Sequence, residues 1–190
     1  MLQIAFKEWA VICKALAEGK QALILRKGGI AESGGEFKPE HARFWLYPTY
    51  LHEHRDGIKQ DAMPLFEQAI QERPPAGMLR FSHFAEVTGV YDVRSEDMAL
   101  ALDDMHIWSE RTVREKFYYR RSGIYVLPVR VYRAAQVHEL PELPEYAGCR
   151  TWVELKQGLP TEGATPVLDD RAYDEILRAI DRRLNPIAFA

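Results

Sequence analysis

The run IYVLPVRVY at residues 124–132 decides how this chain folds. Tyr125, Leu127, Val129 and Val131 fall on one face at the two-residue period of a strand, and all four are aromatic or bulky aliphatic. Pro128 inside the run has no N–H to give to a ladder, which predicts an edge or bulged strand. Downstream, the proline- and glutamate-rich residues 136–145 predict a loop, 151–155 a short strand and 158–165 a linker. From Asp169 the spacing of Ala172, Tyr173, Ile176, Leu177, Ile180 and Leu184 predicts an amphipathic helix.

Upstream, Ser109 and Ser95 each carry a capping hydroxyl. Val113 and Phe117 follow the first, and the acids Glu96 and Asp97 follow the second, as helix starts require. Residues 78–93 alternate as a broken strand pair turning at Gly89. Leu65, Phe66, Ala69 and Ile70 predict a helix within 58–72, with Pro64 in its first turn. Residues 43–47 and 21–26 predict strands, the former ended by Pro48, and the polar stretch 32–40 predicts an exposed loop. Trp9, Ile12, Cys13 and Leu16 predict the first helix, stopped at Gly19. Helices and strands mix without regular βαβ alternation. The expected fold is therefore α+β: a single domain with a bent or barrel-like mixed sheet flanked by about five helices. Residues 1–167 would form its core, and 168–190 a C-terminal helix and tail packed on it.

The totals exclude several classes. At 190 residues a chain buries about 70% of its unfolded surface and needs no disulfide or metal staple. Cys13 and Cys149 are too few and too far apart for a disulfide framework or a zinc site, so two buried thiols in a reducing cytoplasm are expected. The first residues already carry charge and lack the apolar run of a signal peptide, and no run is long enough to span a membrane. The net charge of −3 gives no global attraction to nucleic acid, so any such attraction must be local.

One stretch is locally basic. Residues 110–133 hold seven cations against two carboxylates, Glu110 and Glu115. Arg111, Arg114, Lys116, Arg120 and Arg121 alternate with Tyr118 and Tyr119, a combination that suits phosphate pairing and base stacking. The competing reading pairs these arginines with the acids of the next stretch, Glu139, Glu142 and Glu145, and places the tyrosines in the core. Arg26, Lys27, Gly28 and Gly29 form a second feature: two cations and two glycines after a strand can close backbone N–H groups around an anion, or simply turn a hairpin.

Two further patterns admit metal chemistry. His52 and His54 share a face if their segment is a strand, and would need ligands from elsewhere. Glu154 and Lys156, with Glu142 or Glu145 upstream, match the Glu-x-Lys arrangement with which restriction-type nucleases hold Mg²⁺ or Mn²⁺. An exposed loop and an exposed strand end are the default readings of the two patterns, and Glu142 and Glu145 depart from the nuclease arrangement, whose upstream acid is normally an aspartate on a strand. No cofactor is expected outside the nuclease alternative.

The segments EWAVICKALAEGKQALILRKGGIAE, FWLYPTYLHEH, HIWSERTVREKFYYR, YVLPVRVYR and PEYAGCRTWVEL, spread over residues 8–155, together resemble the bacterial family known as domain of unknown function 1802. That family has no assigned activity. Its joining to Mrr-like restriction nuclease domains implies a restriction- or defence-linked role in recognising DNA or RNA, and a nuclease as partner protein. The order of a helix, Gly19-Lys20 and a strand is also similar to the RNA-binding barrels of the PUA and ASCH type. The expected function is a cytoplasmic nucleic-acid-binding module. A metal-dependent phosphodiesterase on Glu154 and Lys156, or a protein-interaction module, is the alternative.

Overall fold

The computed structural model describes residues 1–27, 30–33, 36–50, 53–148 and 150–185, with the backbone alone for 30–33 and 36–39. The chain opens with strand β1 (Leu2–Trp9), which passes directly into helix α1 (Ala10–Ala17). Strands β2 (Leu23–Arg26), β3 (Ile30–Ser33), β4 (Glu36–Pro39) and β5 (Arg43–Thr49) follow. Two short 3₁₀ turns, Arg55–Gly57 and Gln60–Ala62, lead into α2 (Met63–Gln71), then β6 (Met78–Val87) and β7 (Tyr91–Val93). Helices α3 (Glu96–Leu100) and α4 (Glu110–Tyr118) precede the long strand β8 (Ile124–Pro141). Strands β9 (Trp152–Leu159) and β10 (Thr165–Pro166) and helix α5 (Asp170–Leu184) complete the chain.

Among the described residues the strands other than β3 and β4 make one eight-stranded mixed sheet, bent but not closed into a barrel. Its main path runs β10-β8-β6-β5-β1-β9. β8 is the spine. Its first residues pair with β2 on one side and β7 on the other, and its later residues pair with β6 and β10. β1 and β5 run parallel, with Ala5 opposite Trp45 and Glu8 opposite Pro48. β3 and β4 form a separate hairpin where the polar stretch 32–40 predicted a loop.

Pro128 lies in the sheet interior rather than on an edge, opposite Leu23 of β2. Its carbonyl accepts from the Thr88 N–H, in the gap between β6 and β7. The missing N–H therefore falls where the neighbouring ladder is already interrupted, and costs no ladder bond. The expected loop at 136–145 is also shorter than predicted, because β8 continues to Pro141.

Both faces of the sheet are covered. Phe6, Phe44, Leu46, Val129 and Val131 pack under α1, α2, α4 and α5 in the larger core. Trp45, Tyr47, Phe81, Phe84, Tyr146 and Leu155 form a second cluster on the opposite face. β5 is thus buried on both sides, and its central residues read as a continuous apolar run. The caps are those the sequence suggests: Ser95 accepts from Met98 N–H, Ser109 from Thr112 N–H and Asp169 from Ala172 N–H. α5 packs on the same core through Ile180 and Leu184. No helix among the described residues is long and apolar enough to cross a membrane.

Candidate functional site

Parallel neighbours leave their carboxyl ends on one side of a sheet, and a crevice opens there. In this molecule the ends of β1 and β5 face the residues joining α2 to β6 across a cleft of 790 Å³, a volume typical of ligand sites. Ala147, Gly148 and Arg150, just before β9, close one side. Among the described residues, Lys7, Lys14, Arg26, Arg73, Arg80, Lys116, Arg133 and Arg150 line this cleft against four carboxylates, Glu8, Glu18, Glu72 and Glu142. A chain with a net charge of −3 has concentrated positive charge in its main concavity.

The acids do not neutralise every cation. Lys14 is held by Glu72 at 2.8 Å and Glu18 at 3.1 Å, and Arg80 by Glu139 at 2.9 Å. Lys7 donates to the carbonyls of Tyr146 and Gly148 and lies 5.3 Å from the Tyr47 ring centre. Arg73 stacks on Tyr50 at 4.8 Å and has no ion pair among the described residues. Arg133 and Arg150 have no ion pair among the described residues.

The floor of the cleft is ionic. Glu8 is 5% exposed. Its Oε1 accepts from the Trp9 N–H at 2.9 Å, while Oε2 lies 3.8 Å from Arg26 Nη1 and has no hydrogen-bond partner. Arg26 reaches from β2 across the open seam of the sheet. Its Nη2 donates to the Thr151 hydroxyl next to β9, its guanidinium stacks 4.8 Å from the Phe6 ring, and its buried Nε is unpartnered. Lys116 reaches in from α4, with Nζ 4.3 Å from the Trp108 ring centre. Burial pulls the pKa of both Arg26 and Lys116 below its ordinary value, and the nearby Glu8 charge opposes the shift. Cations in this condition gain from any anion that reaches them.

Aromatic rings line the walls. Trp9 lies 4.7 Å from Trp108 and 5.1 Å from His54, and Glu53 fixes the start of α1 by accepting from Val11 N–H at 2.8 Å. The Tyr50 phenol is pushed up to about 12, chiefly by burial. A bulge between Phe81 and His83 breaks the alternation of β6, and Ser82 and His83 both line the cleft. The Ser82 hydroxyl meets His83 Nδ1 at 2.9 Å. Burial, with Arg133 and Lys14 nearby, drops the His83 pKa to about 4 and keeps its ring neutral at pH 7. Together these groups can pair with an anion, stack a planar ring and hydrogen-bond its edge. Among the described residues no three His, Cys, Asp or Glu side chains are placed to hold a metal ion.

The residues singled out from sequence are distributed differently. Arg111 meets Asp56 and lies 3.5 Å from Glu115, while Arg114 meets Glu96 and lies 2.8 Å from Glu110. None of these four carboxylates belongs to the glutamate stretch of residues 139–145. Tyr118 donates to Glu96 and is exposed, as is Tyr119, over whose ring Arg120 lies at 5.1 Å. Lys27 donates to the carbonyls of Phe117, Arg121 and Gly123 at the end of α4. Arg26, Lys27, Lys116, Glu115 and Tyr119 share the lining of a smaller cavity of 340 Å³ beside the cleft.

Gly28, Gly29, His52 and Cys149 lie outside the described residues. Among the described residues β2 pairs with β8, and β3 with β4. Glu154 and Lys156 are exposed on β9, where Lys156 Nζ sits 3.5 Å from Glu145, and neither lines the cleft. Cys13 is buried, and its thiol pKa is raised by desolvation. Sequence reasoning missed Glu8, Trp9, Arg73 and Arg150 as site residues, and offered His83 only as a further ligand for the histidine pair. One signal was available: Glu8 is a charge between Phe6 and the apolar start of α1, in a segment with no polar face to receive it.

A family model described as Domain of unknown function (DUF1802) matches residues 5–179. No curated protein matches the chain. Among solved structures, the ASCH protein of Zymomonas mobilis is similar over 92% of this chain and 93% of that one, at 14% identity and a TM-score of 0.44. A singly substituted form of the same protein is similar over 94% and 98%, at 11% identity and a TM-score of 0.45. The chain belongs to the DUF1802 family.

Proposed function

We propose that this DUF1802 chain is a nucleic-acid-binding module that takes a single-stranded segment into the 790 Å³ cleft. The observation that carries the reading is the surplus of cations over carboxylates in an aromatic-walled concavity of an acidic protein. Phosphates would supply a negative partner to Arg133, Arg150 and Lys116, which have no ion pair among the described residues, and an unstacked base would supply a planar face for Trp9 or Tyr50. A duplex keeps its bases stacked and its backbone on a convex surface, so a recessed aromatic wall favours a single strand. His83, neutral at pH 7, adds an uncharged hydrogen-bonding group suited to a base edge.

The test is a fluorescence-anisotropy titration of short single- and double-stranded DNA and RNA at two salt concentrations. Saturable binding of the single strands is expected, weakening with salt by about 0.7 log units per log unit of salt for each phosphate contacted. Absence of binding at low salt would remove the reading. A restriction- or defence-linked nuclease partner, which the family resemblance implies, belongs to the same proposal at one remove. Co-purification without nucleic acid tests it, and a chain that elutes alone removes it.

A further inference from the structure

Arg26 and Lys116 line both cavities, the larger at the strand ends and the smaller against α4. They form the saddle between the two. The smaller cavity adds Lys27 and Tyr119 against one acid, Glu115, so the positive surplus continues across the saddle. Arg26 Nε is buried without a partner, and Lys116 has a ring beneath its ammonium instead of a carboxylate.

Beyond the saddle the backbone itself is unusual. Arg120 has φ +63, which makes it the sole non-glycine residue in the left-handed region among the described residues. The Arg121 N–H donates to the Tyr119 carbonyl at 2.8 Å, two residues back, so Arg120 occupies the centre of a tight γ-turn. Such backbone is strained for a residue with a side chain and persists where its surroundings hold it. At this turn the Arg120 guanidinium lies 5.1 Å from the ring centre of the exposed Tyr119. An aromatic ring and a cation held together at a cavity mouth make a platform for one base and its phosphate.

We propose that Arg26 and Lys116 form a phosphate subsite between the two cavities, so that one bound strand runs from the cleft across the saddle to the Tyr119–Arg120 platform. This rests on the cleft being a nucleic-acid site, and it adds a footprint of more than one nucleotide with a defined path. The loss of ordinary pKa at both saddle cations has the same sense, since a bound phosphodiester would restore it.

Titration of a nucleoside monophosphate and of single-stranded DNA and RNA octamers, with the intact chain and with Tyr119→Ala and Arg120→Gly, tests the path. Glycine tolerates a positive φ, so the second variant removes the guanidinium without straining the turn. The octamer is expected to bind more tightly than the monophosphate, and each variant is expected to cut the ratio of the two affinities about tenfold. Lys116→Met is expected to weaken both ligands. If both ligands bind and the ratio is unchanged in both variants, the path is wrong while the cleft reading stands. If the intact chain binds neither ligand, both fall. Which octamer binds more tightly identifies the sugar.

Discussion

The outer face of α4 and the cleft at the ends of β1 and β5 are both rich in arginine and lysine, yet their charges have opposite fates. On α4, Arg111 and Arg114 are met by Asp56, Glu96, Glu110 and Glu115, all within their own neighbourhood. In the cleft, Arg73 lies on a tyrosine and Lys116 on a tryptophan, and Arg133 and Arg150 have no carboxylate among the described residues. The difference teaches that a charge run along the chain measures composition. Binding capacity is instead measured by what is left after each cation has met the acids around it in space.

The largest expected effect comes from loosening the segment that carries both regions. His106 is 4% exposed, just before Trp108, whose ring supports Lys116, and Ser109, which caps α4. Burial drops its pKa to about 4, against 6.5 for a free imidazole. Below pH 6.5 the unfolded chain takes up a proton that the folded protein refuses, so stability falls as pH drops from 6.5 to 4. It is flat in this group above and below that window, and the full loss is ~3 kcal/mol. Urea melts at pH 7 and 4.5 should show a smaller acid loss for His106→Leu than for the unaltered protein. Equal losses would discount His106 as a source of acid sensitivity.

Next in size is the joint between the regions. A Cβ at Gly57 would stand 2.7 Å from the Trp9 ring, which packs on Trp108, while the Gly57 carbonyl accepts from Ser109 N–H. Gly57→Ala is expected to cost about 1–3 kcal/mol, read as a lowered urea midpoint. An unshifted midpoint would show that Trp9 can move aside, and that the cleft wall is softer than its packing suggests.

The remaining two outcomes address charge directly. Arg133→Glu with Arg150→Glu should weaken single-strand binding at least about tenfold at low salt and flatten the salt dependence. Arg111→Ala with Arg114→Ala should leave both affinity and salt slope where they were, because those cations are already paired. Exposed pairs also contribute little to stability, so the unfolding midpoint should hold. Reversed results, with the α4 pair mattering and the cleft pair not, would overturn the comparison.

Legibility followed burial. Residues 124–132 were readable as strand because all but the half-buried Arg130 and Tyr132 are buried, and the reading stopped where β8 turns exposed and polar, although pairing with β6 continues to Pro141. α5 was readable from its cap and its apolar stripe. β1 was not: Lys7 and Glu8 are spent inside the protein, so the segment shows charge where a strand pattern needs apolar residues. The α4 cluster stood out because it is contiguous. The cleft draws Glu8 from β1, Arg26 from β2, Lys116 from α4, Arg133 from β8 and Arg150 from the approach to β9. No spacing along the chain announces residues that only the sheet brings together.

β8 has a consequence for how the protein comes to exist. Its 18 residues pair with β2, near residue 25, and with β10, at residues 165–166, as well as with β6 and β7. Neither flank of the spine can be finished by local contacts. Each requires closing a loop of many tens of residues before any pairing offsets the entropy lost. The chain thus belongs among high-contact-order folders, in the millisecond-to-second range rather than the microsecond range of helical bundles. A ribosome must also release most of the sequence before the sheet has its centre.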